Sequence, residues 1–320
     1  MTDQINRQQL FEDLANARRE LMRALLFMSE QEAMMPGVHG EWCVRDVISH
    51  ITARECTVWA AVHNLVQEGD PQFPSQHDDR EFNQAAVRRR KEFSLREIID
   101  EMDGMRGQTL KYTRKMHNNE LYGLFEVRAT GELKSLAQVL QELLDHDYQH
   151  AGSIWRWRAE AGTLHRINFR RIITGERSQL MNALGGMWDP DMMSEEVCGY
   201  WTVRDVMAHI LSWDDEVLRT TKHWTEERPW QDDALYDDEW NELEVAKRAQ
   251  MDMIDLADGL ATSHRRLVQL FDELGDPDLA TMGLAPWGER MALLSFLHQM
   301  AHHDAVHRPD LERMPRRRRR

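Results

Sequence analysis

The stretch Leu21–Ile51, LMRALLFMSEQEAMMPGVHGEWCVRDVISHI, has a second version at Leu180–Ile210, LMNALGGMWDPDMMSEEVCGYWTVRDVMAHI. The two align without a gap at an offset of 159, with 15 identities in 31 positions, among them Trp42/Trp201, Arg45/Arg204, Asp46/Asp205 and His50/His209. The register continues downstream. FNQAAV at Phe82–Val87 answers WNELEV at Trp240–Val245 at an offset of 158, and HDYQH at His146–His150 answers HDAVH at His303–His307 at an offset of 157. This period is far too long for a solenoid, and each copy is long enough to bury its own core. The expectation is two tandem domains of one fold, 1–163 and 164–315, meeting near Gly162–Ile167, with 316–320 a disordered arginine tail.

Within each copy the apolar spacing is helical. Leu10, Phe11, Leu14, Ala17, Leu21, Ala24, Leu25 and Met28 follow a period close to 3.6. A second helix is expected to start near Cys43 and near Thr202. Thr202 with Asp205 three residues on resembles a capping box, and Cys43 is a poorer cap. A third helix is expected over 79–116, with an interruption near Phe93–Ser94, and over 234–274 in the second copy. A fourth is expected over 133–160 and 291–313. Pro71, Pro74, Pro190, Pro229 and Pro277 fall between these segments, as helix breakers should. LYGLFEVRAT, ahead of the fourth helix, is the one plausible strand. Four amphipathic helices per copy give an all-α chain of two four-helix bundles, and the stretch 67–76 suggests a crossover connection rather than a tight hairpin. The many Met and Trp residues read first as core packing, with Trp42 and Trp201 placed to wall a pocket.

Composition narrows the function. A net charge of −15 disfavours general nucleic-acid binding, and Arg316–Arg320 is a local exception. Cys43, Cys56 and Cys198 form neither a zinc CxxC pair nor a disulfide framework, which fits a reducing compartment. The opening MTDQINRQQLFEDLANARRE lacks the apolar core of a secretory signal, and no apolar run approaches the ~20 residues that span a bilayer. A soluble cytoplasmic protein, without membrane contact, is expected.

The histidines carry the chemistry. Residues i and i+4 share a helix face, so His146/His150 and His303/His307 each present two imidazoles side by side, able to share a metal ion. HxxxH alone is weak evidence in a chain with 15 histidines, and His298/His302 is a competing pair. The repeat strengthens it, because His50, His146 and His150 recur as His209, His303 and His307, while His39 becomes Cys198 and His298 corresponds to Gln141. Three neutral imidazoles leave coordination positions open, as catalytic metals require. Asp46 and Asp205, four residues before His50 and His209, suit two roles: orienting the imidazole, or complementing the helix dipole. Asp147 and Asp304 read as supporting or surface groups rather than ligands. Arg45 and Arg204 read as exposed helix-start residues or as guides for an anionic substrate. Asn83 and Asn241 read as interhelical contacts or as pocket lining.

WxVRDVxxHI at the second helix, (F/W)N at the third and HDxxH at the fourth resemble the DinB/YfiT-like superfamily of metal-binding four-helix bundles, over nearly the whole chain. The resemblance implies a divalent metal (zinc, nickel or iron) on His50, His146 and His150, and another on His209, His303 and His307. It also implies kinship with thiol-dependent isomerases and S-transferases, and with self-protection, detoxification and stress-response proteins. The resulting expectation is a metal-dependent thiol S-transferase or hydrolase acting on a small electrophile, with a low-molecular-weight thiol as cosubstrate. The alternative is a non-catalytic small-molecule binder. The fused copies would form an intramolecular pseudo-dimer, and a homodimer is compatible with the same reading.

Overall fold

Helix α1 (Arg7–Ala24) shows how the sequence pattern becomes a packed element. Asn6 caps it by accepting from the Gln9 backbone N–H, and Leu10, Leu14, Ala17, Leu21 and Ala24 form a fully buried stripe. The computed structural model describes residues 6–73, 80–127, 130–185, 195–225 and 238–312. Pro74, Pro190, Pro229 and the Arg316–Arg320 tail lie outside the described residues. The chain divides into two compact units between Thr163 and Leu164.

In the first unit α1 is followed by a single turn, α2 (Glu30–Ala33), and a short hairpin, β1 (Pro36–His39) with β2 (Trp42–Cys43). Gly40 makes the hairpin turn at φ +61°, a conformation that favours glycine. Then come α3 (Val44–Glu68), α4 (Arg80–Arg89), α5 (Leu95–Thr113), α6 (Asn118–Tyr122), the hairpin β3 (Phe125–Glu126) with β4 (Leu133–Lys134), and α7 (Leu136–Ala161). Helix α1 packs on α7, α3 on α5, and α3 on α7, so α1, α3, α5 and α7 form the four-helix bundle. The expected third helix is two helices. Ser94 starts a new one, accepting from Glu97 N while the Glu97 carboxylate accepts from Ser94 N. Helix α7 starts with the same reciprocal arrangement between Ser135 and Gln138 and ends at Gly162 in the left-handed region.

Among the described residues, the second unit has counterparts of every element but α2, in the same order: α8 (Arg166–Leu184), β5 (Glu196–Cys198) with β6 (Trp201–Thr202), α9 (Val203–Thr225), α10 (Asp238–Lys247), α11 (Met253–Glu273), α12 (Asp276–Leu279), β7 (Met282–Leu284) with β8 (Arg290–Ala292), and α13 (Leu293–Glu312). Helix α13 packs on α8 and α9, and α11 on α9. The core joins Leu180, Leu184, Val203, Val206, Ile210, Leu256, Leu260 and Leu311. The fold is all-α with short hairpins. The expected strand near 121–130 is the β3 edge, whereas the hairpins before α3 and α9 were not anticipated, because strands of two to four residues carry no alternation to read. Among the described residues, no helix is long and apolar enough to cross a membrane.

Candidate metal centres

Each bundle brings three histidines from two helices to one point. In the first unit His50 comes from the second turn of α3, and His146 and His150 from the middle of α7. Nε2 of His146 lies 2.8 Å from Nε2 of His50 and 3.0 Å from Nε2 of His150. In the second unit Nε2 of His303, on α13, lies 3.1 Å from Nε2 of both His209, on α9, and His307, on α13. All six residues thus meet in the two expected trios. The competing pair does not: the His298 ring packs on Phe169, and His302 is exposed.

Protons satisfy these contacts poorly among the imidazoles alone, because one N–H at His146 or His303 has to serve two neighbours. A neutral imidazole has one N–H and one lone pair. Nδ1 of His50 sits 2.8 Å from Oδ1 of Asn83, a geometry that places the proton on Nδ1 and leaves a lone pair on Nε2. The single Nε2 of His146 then faces two other ring nitrogens at once, and its own Nδ1 is buried with no hydrogen-bond partner. Protonating the cluster is no remedy. Burial, then the neighbouring imidazoles, lowers His150 to about 3, and His146 is held well below the usual histidine range for the same reasons. Burial and His307 lower His209 to about 3, His303 is well below the normal value, and burial lowers His307. A shared cation satisfies all the lone pairs together. Ligand bonds of ~2.0–2.1 Å hold imidazole nitrogens roughly 3 Å apart, which is the separation present.

The model of the DinB superfamily matches residues 172–310. Residues 172–310 belong to the DinB superfamily. No curated protein and no solved structure matches the chain.

The DinB domain and the first unit differ around this shared centre. Asp46 and Asp205 serve the helix starts. Asp46 accepts from Cys43 N at 3.1 Å, and Asp205 accepts from Thr202 N at 3.0 Å and Thr202 Oγ1 at 2.7 Å. Asn83, rather than Asp46, stands at Nδ1 of His50, while Nδ1 of His209 is buried with no hydrogen-bond partner. In the DinB domain Asn241 instead accepts from Trp213 Nε1 at 3.2 Å. Arg204 ties the start of α9 to the Met251 carbonyl at 3.3 Å, a helix-start role.

Asp147 and Asp304 are not surface groups. Both are buried, and each is salt-bridged to an arginine from the first helix of its unit, Arg18 at 3.0 Å and Arg177 at 2.7 Å. These bonds fix the rotation of α7 and α13, and with it the aim of the neighbouring histidines. Trp42 and Trp201 lie against the rings of His50 and His209, at 5.7 and 4.8 Å between centroids.

Sequence reasoning set His39 aside because its counterpart is Cys198. The structure places His39 Nε2 3.4 Å from Nδ1 of His150, and gathers Cys198 with His307 and Asp310. The walls diverge as well. Arg54, one turn after His50, forms a salt bridge with Glu142 at 3.6 Å. Its counterpart at offset 159 is Trp213, whose ring packs on Trp240 at 4.8 Å and Trp287 at 6.0 Å.

Proposed function

We propose that each unit binds one divalent metal ion on its three imidazoles and uses the remaining coordination positions to activate a small nucleophile, a low-molecular-weight thiol or water, against a small electrophile. The observation that supports this most directly is the convergence of three Nε2 atoms, twice, in pockets that keep the rings uncharged. His50, His146 and His150 would hold one ion, and His209, His303 and His307 the other. Zinc, nickel and iron all suit imidazole donors. Such an ion lowers the pKa of a bound water or thiol, so that the reactive anion exists at neutral pH.

The chain does the rest by positioning. Asn83 fixes the His50 tautomer so that Nε2 points inward. Asp147 and Asp304, tied to Arg18 and Arg177, hold the HxxxH helices in rotation. Trp42 and Trp201 cover one side of their histidine rings and exclude water there.

The test is metal content by mass spectrometry on protein purified without chelator or metal-affinity resin, beside a His146→Ala/His150→Ala variant. About two ions per chain, falling to about one in the variant, support the reading, and thiol-transfer and hydrolysis assays on small electrophiles follow. A chain that takes up no zinc, nickel or iron under repletion refutes it.

A further inference from the structure

The two histidine trios are built alike, and their surroundings are not. Beside the first, Arg54 stands one turn after His50 on α3 and pairs with Glu142 at 3.6 Å. Beside the second, the same position holds Trp213, whose ring lies 6.5 Å from the His209 ring and 6.1 Å from the His303 ring. Three further tryptophans join it. Between centroids, Trp201 lies 4.8 Å from His209, Trp240 lies 4.8 Å from Trp213, and Trp287 lies 6.0 Å from Trp213. The first unit matches only one of the four with a tryptophan, Trp42 for Trp201. Trp240 corresponds to Phe82 at an offset of 158. Trp287 sits in APWGE, which joins β7 to β8, whereas VRATGE at 127–132, which joins β3 to β4, has no aromatic residue.

Core packing does not account for this cluster. Trp213 is buried, but Trp201, Trp240 and Trp287 are only half-buried, so part of each ring remains open to solvent beside the trio. Three of the four rings are fixed by their own N–H. Trp201 Nε1 donates to Glu242 at 3.0 Å, Trp213 Nε1 to Asn241 at 3.2 Å, and Trp287 Nε1 to Glu289 at 3.0 Å. With those polar edges occupied, the rings offer a ligand their apolar faces and C–H edges. The rings are also inclined to one another, by 57° between Trp213 and Trp240 and by 69° between Trp213 and Trp287, so they form adjoining walls rather than a stack. Such walls suit a further aromatic ring, which prefers edge-to-face and offset contacts. A lining of aromatic side chains beside a few polar anchors is the usual make-up of a small-molecule site. At the first trio the charge of Arg54 stands in place of the central wall.

We propose that the second centre selects, by its tryptophan walls, a small electrophile that carries an aromatic ring, and that the first centre does not. This rests on the reading that a metal ion on each trio receives the polar end of the ligand; Trp201, Trp213, Trp240 and Trp287 decide what the other end is.

Titration calorimetry on the zinc-loaded full chain tests it with two probes, acetohydroxamate and benzohydroxamate. Both offer zinc the same donor group, and they differ by a methyl against a phenyl. His146→Ala/His150→Ala leaves the second centre to report, and His303→Ala/His307→Ala leaves the first. Benzohydroxamate is expected to bind the second centre about tenfold tighter than acetohydroxamate, an advantage about fivefold larger than at the first centre. The advantage is expected to fall in Trp287→Ala and in Trp240→Phe, which restores the first unit's aromatic type, with zinc still bound. The comparison between the two centres needs no tryptophan substitution, so it decides the matter even where those variants do not fold. Equal phenyl advantages at the two centres, or an advantage that survives in folded Trp287→Ala/Trp240→Phe, overturn the proposal and leave the metal reading standing. A chain that takes up no zinc, or a zinc-loaded chain that binds neither probe, overturns the metal reading and this proposal with it.

Discussion

The second histidine trio makes a quantitative demand on how proton and metal compete. Metal binding must displace any proton on a ligand nitrogen, so affinity falls wherever ligands protonate. For a ligand at the ordinary histidine pKa of about 6.5, acidifying from pH 7 to pH 5 costs roughly 25-fold, and three such ligands together cost about 10⁴-fold. In the DinB domain burial lowers His209 to about 3 and places His303 well below normal, so neither acquires a proton in this window. Only His307, whose pKa burial lowers, is left to contribute, and its upper bound is the single-ligand cost of about 25-fold. The sign follows: lowered pKa values protect the site from acid, so affinity falls by at most about 25-fold down to pH 5 and steeply only below it. The assay is competition with a chromophoric chelator of known proton dependence, on the full chain carrying His146→Ala and His150→Ala so that only the second trio reports. A loss near 10⁴-fold between pH 7 and pH 5 refutes the burial argument.

Four other expectations follow from named contacts. Arg177→Met strips the partner from Asp214 and Asp304, both buried, and is expected to cost about 3–5 kcal/mol in urea unfolding; a change under 1 kcal/mol contradicts the ionic cluster as drawn. Asn83→Ala releases His50 Nδ1 and is expected to weaken metal binding in the first unit by about 10–100-fold, whereas Asn241→Ala, which frees Trp213 instead, leaves the second trio's affinity unchanged; equal effects from the two variants count against the asymmetry. Ser94→Ala removes one half of the α5 capping box and is expected to lower stability by about 1 kcal/mol, read by denaturant midpoint at constant m. Arg54→Leu is expected to weaken binding of small carboxylates to the zinc-loaded chain at the first histidine trio and not at the second, where Trp213 holds the position, read by titration calorimetry; equal loss at both trios argues against an anion contact at Arg54.

Much of the site was legible because helical geometry is local. HxxxH needs only a 3.6-residue repeat to place His146 beside His150, and the second copy singled out His50 and His209 from a field of 15 histidines. Asp46 and Asp205 illustrate what local reading left open: either role fitted their position, and the backbone N–H groups at the helix start took both carboxylates. His39 was passed over because the repeat replaces it with Cys198, and only the hairpin turn at Gly40 carries it back onto His150.

The sequence by itself determined the helices, their caps and the matched histidines, since all of these depend on neighbours within a few residues or on comparing one stretch of chain with another. The tertiary structure alone decided the rest. It joined Arg18 to Asp147 across 129 positions and Arg177 to Asp304 across 127, and turned two apparently peripheral aspartates into buried anchors. Charge balance in a core depends on which side chains meet and on how much water they lose in meeting, and neither is encoded in the spacing of residues along a helix.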